Sequence, residues 1–125
     1  MAELAALTAA TLITGKATSV AQVRGVRVIL DTTRTLSVAD HTVRGDYVTT
    51  TAVAASSVGA YVSMQQGAIV PALANTACAV GDTAYSADSG KFSNSSASSA
   101  IVLGKWVLAT TGDGVLGEVQ LESPL

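Results

Sequence analysis

The sequence predicts an all-β protein: a compact small barrel or β-tulip/sandwich of about eight short strands with an N-terminal arm. Three observations carry that expectation. Ala, Val, Thr and Ser fill more than half of the 125 positions, while charged residues make up 13%. Small and β-branched side chains in that proportion suit pleated, half-buried strands better than long helices. Apolar and polar residues also alternate with period two in residues 24–30, 101–109 and 115–121. Gly, Asp, Ser and Pro punctuate the chain at short intervals.

A chain of this length suits one domain and buries a core without metals or disulfides. The expected division is an arm, residues 1–22, and a single β-barrel domain, residues 23–125. The arm is rich in Ala and Thr, with Leu4, Leu7 and Leu12 loosely at helical spacing. Thr8, Thr11, Ile13 and Thr14 lower its helix propensity. It is expected as an extended or partly helical segment that a neighbour orders.

The first strand falls in residues 24–30 (RGVRVIL), with Val26, Val28 and Leu30 on one face and Arg27 on the other. Residues 46–52 (DYVTTTA) and 60–64 (AYVSM) are two more, and residues 67–71 form a short strand that Pro71 ends. Residues 83–86, 91–93, 101–109 and 115–121 complete the set. Asp88, Ser89 and Gly90 supply a hairpin turn in which Gly90 takes positive φ. In residues 101–109, Val102, Gly104, Trp106 and Leu108 share a face that is expected to point inward. The aromatics are Tyr47, Tyr61, Tyr85, Phe92 and Trp106, so Val, Leu, Ile and Ala build most of the core.

No catalytic, cofactor or metal site emerges. Gly112, Gly114 and Gly117 in TGDGVLGEV fit the spacing G-x-G-x-x-G. That loop must open a helix and be followed about 20 residues later by an acid; here the following residues alternate as a strand. Gly45-Asp46, Gly81-Asp82 and Gly112-Asp113 each precede an expected strand, which reads as turn chemistry. Oxygen-ligated metal sites instead gather several acids in one loop. The single histidine, His41, lies in a polar segment and reads as a surface residue. Cys78 stands alone between alanines, as a small buried hydrophobe.

The net charge of −2 gives no nucleic-acid signature. The charge is uneven: residues 1–44 carry a net +2 and residues 45–125 a net −4, which places a basic face near the N-terminal part. No residue in 47–81 is charged. Either another subunit covers that surface, or Ser, Thr and Gln alone keep it wet. The N-terminus lacks the basic start of a signal peptide, and no apolar run is long enough to span a bilayer. The expectation is a soluble protein with no membrane partner.

The C-terminal third carries an ordered set of short motifs: AVGDTAYS at 79–86, SGKF at 89–92, IVLGKWV at 101–107 and GDGVLGEVQL at 112–121. It resembles the bacteriophage capsid-decoration (cement) proteins, often described only as a domain of unknown function. The resemblance implies a small β-barrel or β-tulip protein without catalysis or cofactor. Such a protein is made in the host cytoplasm, binds the outside of the assembled head through the major capsid protein, commonly as trimers, and braces it. Residues 1–25 match no part of that pattern. The alternative function is a β-sandwich binding module of a phage, a host-glycan adhesin or tail-associated protein.

Capsid contact is expected from Leu4, Leu7, Leu12 and Ile13 of the arm with the basic residues Lys16, Arg24 and Arg27. Subunit contact in a homo-oligomer, a trimer, is expected near Tyr61 and Gln65.

Overall fold

The computed structural model describes residues 12–32, 34–96 and 100–122. Leu4 and Leu7 lie outside the described residues. Ten strands run in order: β1 (Leu12–Lys16), β2 (Arg27–Leu30), β3 (Leu36–Val38), β4 (Tyr47–Thr49), β5 (Val58–Ser63), β6 (Ile69–Leu73), β7 (Thr83–Ser86), β8 (Phe92–Ser93), β9 (Val102–Leu108) and β10 (Leu116–Leu121). The only helical element among the described residues is a 3-10 turn at Asp88–Gly90. The fold is all-β, as the composition predicts.

The strands form two antiparallel sheets of five, ordered β1-β5-β4-β2-β3 and β6-β10-β9-β7-β8. A parallel bridge joins the outer strands of each sheet: Ala17 to Leu36 in the first, Ala74 to Phe92 in the second. Each sheet therefore curls into a small barrel.

The two orders are the same order. The second half repeats the topology of the first, about 57 positions along the chain. The backbone hydrogen bonds repeat with it. Gly25 N–H donates to Thr49 O, and Gly81 N–H to Trp106 O. Gln22 and Val53 exchange two bonds, and so do Cys78 and Thr110. Ala17 N–H donates to Ser57 O, and Ala74 N–H to Val115 O. Gly25 and Gly81 both have positive φ, 83° and 93°, where a side chain would be strained.

The halves differ in filling. The second barrel packs Val70, Ala72, Ala74, Ala84, Phe92, Leu103, Trp106, Val119 and Leu121. Trp106 is fully buried, meets Phe92 edge-on at 6.3 Å and donates its indole N–H to Ser93 O. The first barrel holds Ala17, Val26, Val28, Leu36, Val53 and Tyr61. Val48 and Val62, on the outer face of the first barrel, complete the second cluster, and Leu73 of β6 packs against the first. Each barrel covers part of the other.

Several expectations change. Residues 12–16 of the arm are β1, paired with β5 over Leu12 to Lys16, and Ala17 and Gln22 beyond it are buried. β3 is an unexpected strand. Pro71 does not end β6 but sits inside it, opposite Glu118. It is tolerated because β6 is an outer strand and the missing N–H faces away from β10. On β9 only Gly104 and Trp106 of the expected inward face are buried; Val102 and Leu108 are exposed, and Leu103 points in. Register shifts opposite both β7 and β10 make this strand irregular, so its alternation slips at each. The Asp88–Gly90 turn forms as predicted, with Gly90 at φ 72° and Ser89 also positive.

Candidate functional site

Arg27 is the first site residue that the structure relocates. Its alternation with Val26 and Val28 puts it on the outer face of β2, and that face is covered by the second half. Arg27 is fully buried. Its guanidinium donates to Val43 O (2.6 Å), Arg44 O (3.2 Å), Asp40 O (3.2 Å) and Ala87 O, and Nε donates to Lys91 O (3.3 Å). The planar fork thus ties the loop after β3 to the turn between β7 and β8. It also lies 5.8 Å from the Phe92 ring centroid. Burial pulls its pKa down to about 10, which leaves it charged at neutral pH. A capsid contact through Arg27 is therefore ruled out by burial.

The other expected contact residues scatter. Leu12 is 67% exposed and Lys16 is exposed, both on the outer face of β1. Ile13 is half-buried against the first core. Arg24 is exposed in the loop before β2. Leu12 and Lys16 share a face; Arg24 stands apart in the loop. Tyr61, expected at a subunit contact, points into the first barrel and is fully buried. Its hydroxyl donates to Gln22 Oε1 (2.7 Å), and Gln22 Nε2 donates to Leu36 O (2.6 Å). Burial pushes its phenol upward. Gln65 is exposed after β5.

Sequence reasoning passes over one polar cluster. His41 Nδ1 and its backbone N–H both meet Asp88 Oδ1, at 2.7 and 3.2 Å, across the seam between the halves. These two bonds hold the Asp88 carboxyl below its ordinary range. The cleft beside them, about 450 Å³, is lined by Asn75, Ser86, Lys91, Ser93 and Ser95. Ser86 is buried; its hydroxyl donates to the His41 carbonyl (2.6 Å) and accepts from Ile101 N–H (2.8 Å). That serine serves the backbone rather than the imidazole. Cys78 is buried, and burial pushes its thiol upward. Asp82 accepts from Ala79 N–H within its own turn, as expected of the Gly-Asp pairs, whereas Asp46 accepts from Leu30 N–H on β2 and Asp113 pairs with Lys91 at 2.9 Å. No three His, Cys, Asp or Glu side chains converge among the described residues.

What the surface offers instead is uncharged area. Val58 is 66% exposed, Ala60 is exposed beside it, and Val80 is 66% exposed at the turn before β7. All three lie in the charge-free segment 47–81.

The architecture has a solved counterpart. The fold is similar to that of the head fiber gp8.5 N base of bacteriophage phi29. The TM-score is 0.68 at 18% identity, over 92% of this chain and 98% of that one. At that identity the likeness carries the fold alone. No family model matches the chain, and no curated protein matches it. The short decoration-protein motifs therefore rest on their own residues. The fiber base and this chain share an architecture along nearly their whole lengths.

Proposed function

We propose that the chain is a structural protein of a phage virion that binds the outer surface of the head, contacts the major capsid protein and stabilises the assembled shell. The observation that supports this is the likeness to a head fiber N base over 92% of the chain. The decoration-protein motifs in residues 79–121 point the same way independently. The protein is a non-catalytic homo-oligomer, a trimer, with no nucleic-acid or membrane partner and no cofactor. Attachment runs through the N-terminal segment, with Leu4, Leu7 and Leu12, assisted by Arg24 in the loop before β2. Exposed charge pairs contribute little each, so apolar contacts dominate the affinity.

The test mixes undecorated heads with the full chain and with a chain lacking residues 1–11, a truncation that leaves every described strand intact. The full chain should bind heads and raise the temperature at which they rupture, with weak dependence on salt. The truncated chain should bind at least tenfold more weakly. Failure of the full chain to bind heads overturns the proposal. Equal binding by both chains moves attachment onto the barrels.

A further inference from the structure

The repeated fold makes one contact inside the chain whose counterpart is left open. Leu73 N–H on the outer edge of β6 donates to Gly25 O at 2.9 Å. Gly25 is buried there: a Cβ on it would lie 2.6 Å from Leu116 Cδ1 and 3.0 Å from Leu73 N. Superposing the pairings of the two halves converts each partner. Gly25 corresponds to Gly81; Leu73, opposite Leu116, corresponds to Lys16, opposite Val58.

Those counterparts do not meet in a single chain. Nothing lies within 4 Å of a Cβ on Gly81, and Val80 beside it is 66% exposed. Val58 is equally exposed, and so is Lys16. The Ala17 N–H bond to Ser57 O fixes the alternation of β1, so the N–H groups of Leu12, Thr14 and Lys16 face away from β5. Two of the three matching groups on β6 are dealt with: Pro71 has no N–H, and that of Leu73 is bonded to Gly25. The edge of β6 is thus closed at Pro71 and Leu73, whereas among the described residues that of β1 is an open template up to the Ala17–Leu36 bridge.

We propose that chains assemble head to tail, the Val80-Gly81 turn of one chain seating on the β1 edge of the next beside Lys16 and Val58, as Gly25 seats on β6 within each chain. A twofold relation between the halves would have made both contacts at once, so the internal contact is heterologous, and its repetition between chains builds a head-to-tail assembly of more than two chains. The rim is re-coloured for that role. Val48 and Val62, buried between the halves, correspond to Lys105 and Gln120, both exposed. An apolar centre at Val58, in the place of the Leu116 that lies against Gly25, within a polar rim is the make-up of a contact between chains that fold before they meet.

The inference rests on the oligomeric part of the proposed function and on no property of the capsid. Val58→Lys removes the receiving side, and Gly81→Asn the inserting side, because a side chain there would meet the neighbour as a Cβ on Gly25 would meet Leu116; both positions are exposed, and circular dichroism and melting confirm each variant's fold. By light scattering, the wild type should exceed two chains, and each variant should run as one chain of 12.5 kDa. An equal mixture of the two variants should stop at two chains, because only one live contact remains between them. A monomeric wild type, a variant that keeps the wild-type mass, or a mixture that does not stop at two chains overturns the inference. Head binding by a monomeric wild type would leave the capsid reading standing while this one falls.

Discussion

Replacing Arg27 by Met removes the clamp between the halves while keeping most of its volume. Two of its bonds, to Val43 O and Ala87 O, are short, and the others lie at 3.2–3.3 Å. A hydrogen bond from a charged donor contributes about 1.5–3 kcal/mol, so the two short ones give roughly 3–6 kcal/mol. Release of the buried charge opposes this. Burial pulls the pKa from its ordinary value down to about 10, which corresponds to roughly 3 kcal/mol of disfavour for the charged form. The longer bonds and the contact with Phe92 add about 1–2 kcal/mol. Arg27→Met should therefore cost about 3 kcal/mol, read as a lower urea midpoint at unchanged slope. Arg27→Lys keeps the charge but loses the fork, and should recover less than half of the loss. Hydrogen exchange should quicken first in residues 39–44 and 87–91, the two segments the fork joins. A loss under 1 kcal/mol, or full rescue by lysine, would refute the clamp.

Two further outcomes follow from the packing and the carboxylates. A Cβ on Gly104 would collide with the Gln120 backbone, whereas one on Gly112 meets nothing within 4 Å and faces no positive φ. Gly104→Ala should lower stability by about 3 kcal/mol or more and Gly112→Ala by under about 0.5 kcal/mol, measured by thermal melts; equal melting of the two would contradict the packing of β9 on β10. Asp40, Asp82 and Asp88 are held below the ordinary carboxylate range by bonds from Thr42, from Asn94 with Ala79, and from His41 respectively. In acid the unfolded chain takes up protons before the folded one, so their contribution is present above about pH 4 and fades below it. The midpoint should hold from pH 7 to about 4 and fall beneath that, more gently in Asp82→Asn.

The short strands with clear alternation were legible: β7 coincides with the predicted residues 83–86, and the Gly90 turn follows from its composition. β1 was hidden because Gly15 breaks its pattern. That glycine is needed, since a side chain there would run into Leu36 and press on Tyr61. β3 is three residues long, too short for a period to declare itself. The structural repeat was invisible because matched positions share their backbone roles and little else: Arg34 and Gly90 share a positive-φ turn, and Tyr61 and Val119 share a barrel wall. Arg27 was placed on the correct face of β2. Whether an outward face meets water or the other half depends on contacts far apart in sequence, which local pattern does not carry.

The same limit explains why the halves cannot be read as two domains. A barrel of about 50 residues buries too little of its own surface to stand alone with comfort. Here each lends what the other lacks: Val48 and Val62 join the second core, Leu73 leans on the first, and Arg27 and His41 bond across the seam. The outer face of the first barrel is apolar where the second half covers it, whereas the matching face of the second carries the exposed Lys105 and Gln120. Val58, 66% exposed, is a residue that nothing within one chain accounts for. A solvent-facing valine on its own needs no explanation. A bare Val58 in the place of Leu116, with an open Gly81 in the place of Gly25, matches the two sides of a contact the chain already makes and points to a neighbour of the same kind.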